Sequence, residues 1–129
     1  KNMCIDYNIE YLAYSPLALG ILAIPPNKSP KPTTFIRHKL FQRMLPQTKE
    51  LRALLAKIGN KYSASQAQVA LNWVRSQGAK PIVGIRNPLQ AKDAISALRW
   101  SLTKKEKEIL DSYRYKCLKY MPQNPFISP

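Results

Sequence analysis

The sequence predicts an α/β fold with parallel strands, on three observations. Two short apolar runs rich in β-favouring residues, Ile9–Tyr14 and Pro81–Val83, stand far apart in the chain. Capped amphipathic helical stretches fill the interval between them and follow the second. Each run passes directly into a stretch suited to holding phosphate, Tyr14 to Gly20 after the first and Gly84 to Gln90 after the second. Strands separated by helical connections of this length pair in parallel, because antiparallel neighbours need only a tight hairpin.

Residues 1–8 are a polar lead-in. The first run, ended by Pro16, reads as a buried strand. Residues 25–47 carry Pro25, Pro26, Pro30, Pro32 and Pro46 and are expected to form one long loop, of the length that often serves as a lid or binding wall. From Thr48 to Lys61, Leu51, Leu54, Leu55 and Ile58 repeat at i, i+3, i+4, i+7, one face of a helix. Ser65 to Gln68 is a capping box that opens a second helix through Arg75, with Ala67, Ala70, Leu71 and Val74 inward and Gly78 as its stop. After the second strand, Asn87-Pro88-Leu89-Gln90 opens a helix with Asn as cap and Pro at the first position. Its inner stripe is Ala91, Ala94, Ile95 and Leu98. Thr103 to Glu106 caps a last helix, with Ile109, Leu110 and Tyr113 inward. Residues 120–129, with Pro122, Pro125 and Pro129, are expected to be irregular.

Two strands do not make a stable parallel sheet, which is normally covered on both faces and belongs to a larger one. The chain also opens on Lys1 rather than a methionine. Both features lead us to expect that residues 1–129 form one partial domain, the last portion of a larger α/β fold.

The composition excludes several classes. With 45% hydrophobic and 22% charged residues the chain is balanced for a folded globule, not a disordered tail. No window holds the roughly 18 apolar residues of a membrane helix. Cys4 and Cys117 lie far apart without metal-ligand spacing and read as reduced structural thiols, which suits a cytoplasmic location. His38, the only histidine, sits between Arg37 and Lys39 and reads as a solvated loop residue rather than a ligand. No metal site is predicted. The formal charge is +14, and residues 26–62 contain nine basic residues against one acid, Glu50. Such a field attracts polyanions, so nucleic-acid binding stands as one reading. No aromatic residues are interleaved as a base-stacking platform requires, and a solvated basic surface is the simpler reading. Attraction of a phosphorylated cofactor is the third.

In α/β folds ligands bind at the carboxyl ends of strands, where loops meet helix N-termini. After the first strand, Ser15, Leu17, Ala18 and Gly20 can turn backbone N–H groups and a hydroxyl toward a pyrophosphate, Pro16 stiffens the turn, and Tyr14 offers a flat face for ring stacking. After the second, Gly84 permits close approach and Arg86 can fork onto a phosphate. The helix starting after Asn87 aims its positive end at the same place. Gln90 and Asp93 lie three apart on its first turns, positioned for adenine or ribose edges. On spacing alone, ordinary structural turns are the favoured reading of these stretches.

The same residues resemble the cofactor-binding elements of the aldo/keto reductase family. Tyr14-Ser15-Pro16-Leu17-Ala18-Leu19-Gly20 is similar to the family's hallmark near the seventh barrel strand. Pro81, Gly84, Arg86, Asn87 and Gln90 are similar to the hallmark after the eighth. Ala67 to Trp73 and Ala97 to Thr103 match intervening and closing segments in the right order, and Gln123 to Phe126 resembles the cyanobacterial and chloroplast branch. The resemblance implies the C-terminal part of a (β/α)8 TIM barrel, about the last two βα units plus a terminal helix. It implies an oxidoreductase that uses NADP(H) to reduce aldehydes and ketones, with a small carbonyl compound as substrate. By the same resemblance Tyr14 stacks on nicotinamide, Ser15 to Leu19 line the pyrophosphate, and Arg86 and Gln90 hold the 2′-phosphate and adenine. Asp93 stands where Glu is usual, Ala94 where Asn is usual, and Ile24-Pro25 where Gly-Lys is common, with Lys28 or Lys31 nearby as substitutes. The family's catalytic Asp, Tyr, Lys and His belong to earlier strands, so no catalytic residue is assigned and the chain alone is expected to be inactive. A non-catalytic NADP- or partner-binding module is the alternative implied.

Overall fold

The computed structural model of the chain describes Cys4, residues 6–30 and residues 34–118. The strands are β1, Leu12–Tyr14, and β2, Lys80–Ile82. The helices are α1, Phe35–Gln47; α2, Lys49–Lys61; α3, Gln66–Ser76; α4, Pro88–Ser96; and α5, Lys104–Leu118. Short 3-10 stretches occupy Ala18–Ala23 and Ala97–Arg99. The tail expected over 120–129 and Lys31 lie outside the described residues.

β1 and β2 pair in parallel, with Leu12 opposite Lys80, Ala13 opposite Pro81 and Tyr14 opposite Ile82. Lys80 N–H donates to Tyr11 O and extends the ladder by one bond of 2.8 Å. Pro81 gives no N–H to a ladder, which suits one strand of a two-stranded sheet. The first strand was expected to be buried, yet Leu12 is 52% exposed, and Ile82 of the second is 54% exposed. The reason is where the core forms. Ile21, Leu22, Phe41, Met44, Leu45, Leu51, Leu55, Ile58, Val69, Ala70, Leu102 and Leu110 cluster among the helices and the first 3-10 stretch, leaving the sheet at the margin of the described residues.

The expected loop over 25–47 is corrected: residues 25–30 carry no helix or strand, but Phe35–Gln47 is helical. Pro25, Pro26, Pro30 and Pro32 all precede Thr34, the helix N-cap. Pro46 falls in the last turn, where it interrupts the ladder only at its end. The carbonyls near this end are taken up locally. The Thr48 hydroxyl donates to Met44 O at 2.8 Å, and Arg52 Nη2 donates to Leu45 O at 2.9 Å. His38 lies half-buried in this helix, not in a loop.

The bounds and caps of α2, α3, α4 and α5 follow the sequence pattern closely. Ser65 Oγ accepts from Gln68 N at 3.1 Å and caps α3. The α2–α3 connection is tight: a Cβ at Gly59 would lie 2.5 Å from Ala64 O. The capping box of α5 is complete, with Glu106 N donating to Thr103 Oγ1 and Thr103 N donating to Glu106 Oε2. Burial departs from the pattern at three positions. Ile95, Leu98 and Ile109, expected inward, are exposed, because α4 and the outer side of α5 lie away from the helical core.

Candidate functional site

The parallel register sets the site. Tyr14 and Ile82 are partners, so Ser15 to Gly20 and Val83 to Gln90 leave the sheet side by side at the same end, one strand spacing of about 4.8 Å apart. Two stretches separated by more than sixty residues in the chain are thereby brought together.

The first stretch is a strained turn. Ser15, Ala18 and Leu19 adopt left-handed backbone (φ 49, 48 and 58), and Gly20 follows at φ 93. Only glycine takes this region freely, and each other residue costs about 1–2 kcal/mol there. Such outliers persist where the surroundings hold them, and they concentrate at ligand sites. The expected array of free donors is only partly realised. Ala18 N donates to Ser15 O and Gly20 N to Leu17 O, each at 2.9 Å, so these two amides close the turn itself. Leu17, with φ −101 and ψ 15, precedes left-handed Ala18, the sequence of conformations that forms an anion-binding nest. Tyr14 is 62% exposed and Ser15 and Pro16 are half-buried around it.

Two arginines that the sequence pattern assigned to solvated charge hold this turn and the segment that follows it. Arg37 of α1 donates from Nη2 to Leu19 O at 2.6 Å, and its guanidinium lies over the Phe41 ring at 5.3 Å. A Cβ at Gly20 would meet the same nitrogen at 3.4 Å, an ordinary contact, so the φ of 93 rather than crowding is what calls for glycine there. Arg52 is 2% exposed and donates to Ile24 O, Pro25 O and Leu45 O at 3.2, 2.8 and 2.9 Å. Burial lowers its pKa, yet a guanidinium stays charged in proteins. The signal for Arg52 was present in the sequence. Arg52, Leu55 and Gly59 stand at i, i+3 and i+7, a stripe that includes a glycine and borders the apolar face. Lys28, a candidate phosphate ligand, is exposed.

The second stretch is exposed and locally capped. Asn87 Oδ1 accepts from Gln90 N at 2.9 Å, and Gln90 Oε1 accepts from Arg86 N at 2.8 Å. This reciprocal pair shapes the turn ahead of the positive end of α4. Arg86 and Gln90 are both exposed, and a Cβ on Gly84 would meet open space. An exposed guanidinium, a helix N-terminus and a nest on adjacent strand ends fit a dianionic or pyrophosphate ligand. Asp93 is placed differently. Its Oδ2 accepts from Ser65 Oγ and its Oδ1 from Gln68 Nε2, both at 2.7 Å.

Away from the strand ends, a polar cluster closes the last capping box. Lys61 Nζ donates to Glu106 Oε1 at 2.8 Å and Tyr62 Oη donates to Oε2 at 2.9 Å. Burial pushes the Glu106 carboxyl up, but the bonds from Lys61, Thr103 and Tyr62 outweigh it and hold the pKa down to about 2. Among the described residues no group of three or more His, Cys, Asp or Glu is placed to hold a metal, and no helix is long and apolar enough to cross a membrane.

The strand-end geometry defines an α/β protein with two turns brought together at one end of a parallel strand pair. The family model described as Aldo/keto reductase family matches residues 1–114, and the chain belongs to that family. It is 36% identical over 126 residues to "Pyridoxal reductase, chloroplastic" of Arabidopsis thaliana, a match covering 98% of this chain and 34% of that protein. It is 32% identical over 108 residues to "Aldo-keto reductase str7" of Strobilurus tenacellus, covering 78% of this chain and 32% of that one. The chain thus spans about a third of the length of these curated relatives. The family resemblance read from the two strand-end motifs is borne out. The family implies a (β/α)8 barrel and a nicotinamide cofactor, and the two parallel strands with their connecting helices agree with that architecture.

Proposed function

We propose that this chain forms the closing part of an aldo/keto reductase barrel, its last two βα units and terminal helix, and supplies the NADPH-holding end. The observation that carries the reading is the register of β1 with β2, which sets the strained turn beside the Arg86 turn. Tyr14 is the platform for the nicotinamide ring, and Ser15, Pro16, Leu17, Ala18, Leu19 and Gly20 form the wall for the pyrophosphate. Gly84, Arg86 and Gln90 receive the 2′-phosphate and adenosine, with the α4 N-terminus adding its positive end. When bound, NADPH supplies a hydride for an aldehyde or ketone carbon in the whole protein. The acid that protonates the oxygen belongs to earlier strands, so the 129-residue chain is expected to bind without turnover. An aromatic aldehyde is a fitting first substrate to try on the whole protein, since one relative is named for pyridoxal. Cytoplasm, or plastid in a photosynthetic eukaryote, is the proposed compartment, the latter supported by a relative named as chloroplastic.

Fluorescence titration with NADPH and NADH tests the reading. We expect NADPH to bind more tightly, and Arg86→Ala to weaken NADPH by about 10- to 100-fold, the worth of a charge-assisted hydrogen bond, while NADH changes little. An Arg86→Ala chain that binds NADPH as well as the parent would overturn the phosphate assignment.

A further inference from the structure

We propose that Asp93 is a positioning residue for the cofactor-facing end of α4, acting through Ser65 and Gln68 and not by contact with the cofactor. The inference rests on the cofactor reading above. It starts from how little else holds α4. No residue of the helix is buried, and Leu89 and Ile95 are 78% and 58% exposed. The Asn87 and Gln90 side chains shape the first turn, but both bonds are internal to residues 86–90 and do not place that turn against the body of the fold.

Asp93 does place it. Both of its carboxylate oxygens accept bonds of 2.7 Å from the start of α3, one from the N-cap Ser65 and one from the buried Gln68. Gln68 is itself held, because its Oε1 accepts from Trp100 Nε1 at 3.1 Å. Trp100 stacks on Tyr62 with ring centroids 4.5 Å apart, and Tyr62 is bonded to Glu106. A continuous polar and aromatic strut thus runs from the α5 cap to the first turns of α4. Among the described residues the other hydrogen bond to this region, Arg75 Nη1 to Ala97 O at 2.9 Å, lies just past the far end of α4 and leaves its N-terminus to Asp93. The side chain is also short: a longer acid at this point reaches further from the backbone, whereas Asp93 stays between Ser65 and Gln68.

A bond-swapping pair of substitutions separates positioning from contact. In Gln68→Glu/Asp93→Asn the amide and carboxylate exchange places. The introduced amide at position 93 can donate to the introduced carboxylate at position 68 and accept from Ser65. That carboxylate also accepts from Trp100, so every bond of the strut is restored with no carboxylate at position 93. We expect Asp93→Ala to weaken NADPH binding by about 3- to 10-fold and the swapped pair to bind within about twofold of the parent. A swapped pair as weak as Asp93→Ala, or an Asp93→Ala chain that binds like the parent, overturns the proposal. Amide hydrogen exchange on the full chain gives a ligand-free readout. Asp93→Ala should speed exchange at Gln90 N–H by about tenfold and the swapped pair should not. Unchanged exchange in Asp93→Ala overturns the proposal. If Asp93→Ala does not fold, Asp93→Asn takes its place in both measurements. A parent chain that fails to bind NADPH sinks the cofactor reading instead, and exchange then decides the role of Asp93 alone.

Discussion

Replacing Glu106 by Gln should cost the fold stability in a way that depends on pH. The Gln side chain keeps the size of Glu106 but removes the charge that accepts from Lys61, Tyr62 and both donors of Thr103. The native carboxyl titrates at about 2 against an unfolded value of 4.5. At about 1.4 kcal/mol per pKa unit this gap sets a ceiling of about 3 kcal/mol at neutral pH. Lys61 is 60% exposed while Glu106 is 12% exposed, so solvent screening reduces the expected loss to about 1.5–2 kcal/mol. The sign follows from the lowered pKa. The carboxylate's contribution is complete above pH 4.5 and is lost as pH falls toward 2, because the unfolded chain takes up the proton first. Urea denaturation followed by circular dichroism at pH 7 and pH 3 reads this directly. The parent should exceed Glu106→Gln at pH 7, and more than half of the difference should vanish by pH 3. A difference that stays constant between the two pH values would refute the reasoning, since it would mean that the carboxyl is not held ionised by its partners.

Three further outcomes follow from the packing. Arg52→Met keeps the volume of the buried stem but strands the carbonyls of Ile24, Pro25 and Leu45; urea denaturation should show a loss of about 2–4 kcal/mol. Gly59→Ala improves helix propensity yet drives a methyl into Ala64 O; a net loss of about 1–3 kcal/mol in thermal unfolding is expected, and a gain would show that the α2–α3 turn relaxes freely. Arg37→Ala removes the bond to Leu19 O and should speed amide exchange in the left-handed turn while weakening NADPH by about 3- to 10-fold; unchanged exchange would show that the turn holds itself.

How legible the chain was depends on the range of the interactions involved. Four helices could be read because their signals are local. Ser65, Asn87 and Thr103 each bond an amide three residues on, and the apolar spacing of Leu51, Leu55 and Ile58 repeats within one helix. The helix Phe35–Gln47 was missed because proline count was read without position: four prolines precede the N-cap and the fifth sits where the helix is ending. Both strand-end motifs were visible as residue types, and their order along the chain identified the family.

By itself, then, the sequence determined the α/β class, the capped helices and the two strand-end family motifs, because each is written in neighbours a few residues apart. Only the tertiary structure decided which partners the polar and charged side chains take. It set Asp93 against Ser65 and Gln68, drew Arg37 and Arg52 out of a basic surface onto backbone carbonyls, and laid Tyr14 beside Ile82. Those outcomes depend on partners 18 to 68 residues away, where a side chain takes whichever partner the fold brings within reach.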